Sequence, residues 1–177
     1  MLYAFGFETV GVVVGDLYFA DPHPLPGQES PERGVRLEVR LLARRDLPGS
    51  IYSAQPILID RPVWRADLLE SVDAPGSFDR AHHHPRFAGW EPGRRHFDDA
   101  MTADPIGFVG SQLADLPGVL ARAGIDPATV TAGDTAALGR AVPEILGVTR
   151  RLLGAVRAGE LARPPAEVAA SARVGWL

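Results

Sequence analysis

The apolar residues of this 177-residue chain repeat with two different periods, and the change between them falls near residue 104. Val35, Leu37, Val39 and Leu41 alternate with Arg36, Glu38 and Arg40, as in a strand with one buried face. After Asp104, the residues Ile106, Val109, Leu113 and Leu116 take the three-and-four spacing of an amphipathic helix, and Leu138, Val142, Ile145, Val148, Leu152 and Val156 repeat it. Strands first and helices afterwards predict an α+β fold. A largely antiparallel sheet is expected over residues 1–85 and a helical segment over 104–173. The length suits a single domain, residues 1–177.

Local signals subdivide these halves. Residues 10–14 and 17–19 are apolar and flank Gly15-Asp16, which reads as a tight turn between two short strands. Pro22, Pro24, Pro26 and Pro31 make 20–34 a loop. Residues 46–50 read as a turn and 51–59 as a strand that Pro56 confines to an edge or a bulge. In 63–70, Trp64, Ala66 and Leu68 share one face, Arg65 and Asp67 the other. Residues 71–77 read as a loop and 85–104 as irregular. Asp104-Pro105 is a helix start, an acidic cap before proline at the first helical position. Pro117 kinks or restarts this helix and Gly124 ends it. Asp126-Pro127 opens a short turn. Asp134 is expected to cap the long helix, which Pro143 should kink or split. A last weak helix follows Pro164-Pro165, with Trp176-Leu177 docked on the body.

Absences exclude whole chemistries. No cysteine and no lysine occur, and all 18 basic residues are arginine. Thiol nucleophiles, thiolate metal sites, lysine Schiff bases and the Walker A phosphate loop are therefore ruled out, and no nucleotide cofactor is expected. A net charge of −4 disfavours broad binding to nucleic acid. The start of the chain lacks a basic n-region, and no window is apolar enough to span a bilayer, so a cytoplasmic protein without a membrane partner is expected.

Four of the five histidines, His82, His83, His84 and His96, lie within fifteen residues of one another. If 78–84 is extended, Arg80, His82 and His84 share a face, and His82 and His84 have Cα atoms about 6.6 Å apart, close enough to co-ligate one ion. His82 and His84 are the expected metal ligands. His96, Glu91, Asp98 or Asp99 would supply the third, with His96 or Glu91 alternatively the catalytic base. Two imidazoles plus a carboxylate, or three imidazoles, leave an open position on zinc, manganese or iron. Arg80 and Arg94, with Trp90, would bind an anionic substrate. A metal-free site is the second reading: one histidine as acid or base, oriented by Asp67 or Asp79, with Arg80, Arg86 or Arg94 clamping an anion. A hairpin of 63–70 with 78–84 would bring Arg65 or Asp67 beside the histidines, in a register the sequence leaves open. A surface loop is the third reading.

Trp64, Phe78, Phe87, Trp90 and Phe97 are expected to anchor the irregular segment, or else to line a ligand pocket; a sensor of a small ligand would have a closed apolar pocket lined by Trp64 and Trp90. Arg36, Arg40, Arg44 and Arg45 read as a solvated sheet face. His82-x-His84 resembles the first half of the cupin metal motif and residues 92–96 resemble its second half. The spacing between them is far shorter than a cupin's, and fewer strands are expected. The tract 78–83 resembles the acidic-Ala-His tract of small bacterial toxins of toxin–antitoxin systems, which implies a nuclease; it covers those few residues only. The expected activity is metal-dependent hydrolysis of an anionic substrate, such as a phosphodiester. The alternative is a non-catalytic protein-interaction or regulatory module, with the His/Trp/Arg segment as its recognition loop.

Overall fold

Alternating strands of this length bury one face and so need a layer to cover it; the helical half supplies that layer. The computed structural model describes residues 1–24, 26, 27, 30–44 and 57–164. Five strands, β1 (Leu2–Gly6), β2 (Val10–Phe19), β3 (Glu32–Arg44), β4 (Ile57–Ser71) and β5 (His82–His84), form one sheet in chain order. Each is antiparallel to the next. A short ribbon of β6 (Phe87–Ala88) and β7 (Glu91–Pro92) follows. Then come α1 (Asp99–Ala103), α2 (Pro105–Ala114), α3 (Leu116–Arg122), a 3-10 turn (Pro127–Thr129) and α4 (Ala132–Arg157). The α+β class and the order of its halves are as the periodicities predict.

The register assembles the core in rows. Val12 faces Val39, which faces Trp64; Val14 faces Leu37, which faces Ala66. These side chains are buried together with Val109, Leu113, Leu120, Leu138, Ile145 and Leu152, as α4 packs on β2, β3 and α2. Each large apolar side chain removed from water this way contributes about 1.5–3 kcal/mol. The opposite face of β3 and β4 carries Arg36, Glu38, Arg40, Arg65 and Asp67.

Several expectations need correction. Gly15-Asp16 is no turn: β2 runs unbroken from Val10 to Phe19, and the reversal lies earlier, closed by Phe7 N–H donating to Val10 O at 2.9 Å. Gly15 pairs with Leu2 and does not take the positive φ a turn glycine uses. The Asp16 carboxylate accepts from the amino terminus and from Ala162 N at 2.8 Å. β3 begins at Glu32, inside the expected loop. β4 passes through Pro62 where its register with β3 shifts around Arg40; a residue without an N–H is tolerated at such an irregularity. Residues 85–104 contain β6, β7 and α1, and are not wholly irregular. The turn expected at 46–50, residues 51–56 with Pro56, Arg45 and the C-terminal helix with Trp176-Leu177 lie outside the described residues.

The helix signals at Asp104 and Pro117 hold. Asp104 accepts from Gly107 N at 2.9 Å, and Asp115 from Gly118 N at 3.1 Å, each ahead of a proline. Gly124 has φ 75° after α3. The long helix is capped differently from expectation. Thr131 Oγ1 accepts from Asp134 N at 3.0 Å. The Asp134 side chain instead accepts from Glu8 N at 2.9 Å, Thr9 N at 2.7 Å and Thr9 Oγ1 at 2.5 Å. It thereby ties the β1–β2 turn to the start of α4. α4 continues through Pro143 as one element. No described helix is long and apolar enough to cross a membrane.

Asp134→Ala should therefore cost about 2–3 kcal/mol, since several donors lose a charged acceptor. Urea denaturation measures it; a loss under about 0.5 kcal/mol, the scale of an ordinary surface change, would show that the tie contributes nothing.

Candidate metal centre

The β4–β5 register decides which histidines meet. Asp67 pairs with His82, Ala66 with His83 and Arg65 with His84. Because side chains alternate, His82 and His84 fall on the polar face with Asp67, and His83 falls on the helix side. The connecting turn is held by side chains: Asp79 accepts from Ser71 N at 2.8 Å and Ser71 Oγ at 2.5 Å. Glu70 accepts from Gly76 N at 2.6 Å and from Arg157 Nη2 at 2.9 Å. On the helix side, Trp64 Nε1 donates to His83 Nδ1 at 3.3 Å, and the His83 ring lies 5.2 Å from that of Phe108.

His82 Nε2 lies 3.4 Å and His84 Nε2 3.6 Å from Asp67 Oδ2. The side chains of His82, Asp67 and His84 are 2%, 2% and 7% exposed. His82 Nδ1 is 2.8 Å from Arg80 O, and His84 Nδ1 is 2.8 Å from Gly93 O. A carbonyl only accepts, so each Nδ1 carries a proton, and in the neutral ring Nε2 holds the lone pair. Backbone carbonyls fix metal-binding histidines in this way. Donors on a tetrahedral zinc ion, with bonds of about 2.0–2.2 Å, stand about 3.3–3.6 Å apart. The spacing from Asp67 to each imidazole matches that edge. These three residues form a group able to hold a metal ion.

Asp67 is ionised. Burial pushes its pKa up, but hydrogen bonding by His82 and His84, when their Nε2 atoms carry protons, and the Arg36 guanidinium outweigh this and hold the carboxyl well below the usual carboxylate range. Arg36 Nε donates to Oδ1 at 2.6 Å, and Nη2 to Oδ2 at 3.2 Å. Alongside, Glu38 accepts from Arg40 Nε at 2.6 Å and from Arg65 Nε at 2.7 Å. The arginine strip expected to be solvated is thus partly tied down: Arg36 and Arg40 are paired with carboxylates.

Residues 85–97 fold back over this face. Phe97 lies 5.6 Å from the His82 ring and Phe87 6.3 Å from the His84 ring. Arg65 stacks on Phe87, Arg40 on Trp90 and Arg95 on Phe19. His96 exchanges backbone hydrogen bonds with His83, at 3.0 and 2.9 Å.

The third donor is Asp67, where His96, Glu91, Asp98 or Asp99 was expected. His96 pairs with His83 and its ring lies 5.6 Å from that ring. Glu91 is exposed on β7. Asp98 caps α1 by accepting from Ala100 N at 2.8 Å, and Asp99 occupies the first turn of that helix. Arg80 precedes β5, so strand alternation does not extend to it. Its guanidinium donates to Ser71 Oγ at 3.1 Å and Gly27 O at 3.2 Å, and only its carbonyl serves the histidines. Trp90 stacks under Arg40, and Arg94 lies in a separate cleft with His96. Asp67 entered the sequence reading as an orienting carboxylate; the hairpin closed by 71–77 was the signal that could place it. Comparison with known proteins returns no family model, no curated protein and no solved structure that matches the chain.

His83 is held neutral. Burial first, then the neighbouring His96, His84 and His82, against the opposing pull of Asp98, bring its pKa down to about 4. An unfolded histidine titrates near 6.5. As pH falls from about 6.5 toward 4, the unfolded chain takes up a proton that the fold refuses, so stability declines across that window. Urea midpoints at pH 7.5 and 5 should fall more for the wild type than for His83→Gln. Equal slopes would contradict this assignment.

Proposed function

We propose that the protein binds a divalent cation of the zinc, manganese or iron class through Asp67, His82 and His84, and uses it to hydrolyse a small anionic substrate. One observation supports this best: two imidazole Nε2 atoms and an ionised carboxylate converge while both Nδ1 atoms are committed to carbonyls. Lone pairs brought together in a buried place repel unless a proton or a metal ion lies among them. Three protein ligands would leave a fourth position for water, and zinc would lower the pKa of that water to about 7.

Arg36 would receive the anionic group. Its side chain is 35% exposed and opens on a hollow of ≈ 210 Å³ lined also by Leu2, Val13, Gly15, Asp16, Leu17 and Glu38. Both carboxylates have other partners: Asp16 has the amino terminus and Ala162 N, and Glu38 has Arg40 and Arg65. Small-molecule sites usually enclose about 300–1,000 Å³, so this hollow would admit only the charged end of a substrate. The near-complete burial of all three donors favours a second reading. A closed site is the mark of a structural ion, in which case the ion would brace a non-catalytic interaction or regulatory module.

Plasma mass spectrometry of untagged protein, purified without chelators, separates these. About one equivalent of metal is expected in the wild type and none in His82→Ala/His84→Ala. At a hundredfold excess over Kd, the ion should add about 2.7 kcal/mol of stability. Hydrolysis of bis(p-nitrophenyl) phosphate that chelation abolishes would support the enzyme. Metal with stabilisation but no turnover of any anionic ester would move the assignment to the structural ion. No metal, even after reconstitution, would exclude both.

A further inference from the structure

A cleft of ≈ 520 Å³ opens between the segment that follows β5 and the C-terminal end of α3, lined by Pro85, Arg86, Gly93, Arg94, His96 and Arg122. Three arginines and a histidine line it from three separate stretches of chain, and none of its lining residues is an aspartate or glutamate. Two of the arginines are positioned by the fold. Arg86 Nε donates to Arg122 O at 2.8 Å, and Arg122 Nη2 donates to Gln112 Oε1 at 2.7 Å. Arg122 Nη1 also donates to Asp115 Oδ2 at 3.3 Å, an exposed ion pair that water screens. Arg94 makes no hydrogen bond or ion pair to any described residue. Like charges gathered in one cleft repel, and an anion entering it relieves that repulsion.

We propose that this cleft binds a small phosphorylated molecule, a phosphate monoester, with Arg86, Arg94 and Arg122 on the phosphate and His96 at its margin. A carboxylate presents two oxygens, which a single arginine fork satisfies; a phosphate monoester presents three and takes donors from more than one direction. The volume lies within the range of small-molecule sites, which leaves room for the organic part of the ester. The proposal does not rest on the metal reading. The two sites share no donor, although they adjoin: Pro85 follows His84, His96 pairs with His83, and the Gly93 carbonyl holds His84 Nδ1.

The test is calorimetric titration of the full chain with adenosine 5′-monophosphate, inorganic phosphate and succinate, repeated after chelation and dialysis. Arg94→Gln and Arg86→Gln are compared with Arg150→Gln, an exposed control on α4. Because Arg94 bonds to no described residue, its replacement should leave the fold intact, which circular dichroism checks. Adenosine monophosphate should bind with or without metal. Arg94→Gln should weaken binding about tenfold or more, the scale of a lost charge-assisted hydrogen bond, and Arg150→Gln should not. The His96 ring protons should shift on binding in the nuclear magnetic resonance spectrum. The proposal is overturned by absence of binding up to roughly 10 mM, a Kd too weak to matter. It is equally overturned by the same loss in Arg150→Gln, or by succinate binding as tightly as the phosphates.

Discussion

The pairing of β5 with β4 is the constraint on which the candidate centre depends. Side chains on a strand alternate, so a one-residue slip would exchange the faces. His83 would then stand on the polar face, and His82 and His84 would enter the helix side, where Trp64 and Phe108 leave no partner for two imidazoles. Three contacts oppose the slip. Asp79 clamps Ser71 at the end of β4, Glu70 is shared between Gly76 and Arg157, and Trp64 donates to His83. The first two hold the turn that leads into β5, and the third holds His83 on the helix side.

The polar face reinforces the same register through charge. Arg36 stands opposite Asp67, and Glu38 opposite Arg65. Buried ion pairs contribute little net stability, because desolvation consumes most of the attraction. Their effect here is on alternatives: moving β4 by one residue would place Asp67 and Arg65 on the core side, uncompensated. Asp67, 2% exposed, would lose there the partners that keep it ionised, His82, His84 and Arg36. The core rows of valine and leucine drive the sheet and helices together, and the charge rows restrict how they meet.

The legible parts of the sequence were those written in local repeats. Val35 to Leu41 announced a strand, Asp104-Pro105 a helix start, and the order of the two halves an α+β fold. What escaped was set by partners far along the chain. Gly15-Asp16 has the composition of a turn, but β1 and Ala162 supply hydrogen bonds that keep it extended. Asp134 has the composition of a cap, but its carboxylate is taken by the backbone of residues 8 and 9. The candidate centre divides the same way. His82 and His84 could be singled out because their spacing is local, whereas Asp67 lies fifteen positions away and joins them only through the register.

Within that centre, a proton on Nε2 and an ion among the three donors are alternative ways to satisfy Asp67. Were His82 or His84 protonated and bonded to Asp67, the charge-assisted contact should close to about 2.7–2.9 Å. The spacings of 3.4 and 3.6 Å are longer than that and close to the edge of a tetrahedral coordination shell, so the same positions would accept an ion with little movement. The carboxylate is also divided in its duties: Oδ1 is held tightly by Arg36 Nε at 2.6 Å, while Oδ2, farther from the guanidinium at 3.2 Å, is the oxygen facing both imidazoles. An ion among the three donors would therefore leave the tighter arginine contact in place. Arg36 would then act as the group that keeps Asp67 ionised and oriented, at the expense of some affinity through charge repulsion. That compromise suits a site whose ligands must stay assembled in a fold already stabilised by its core.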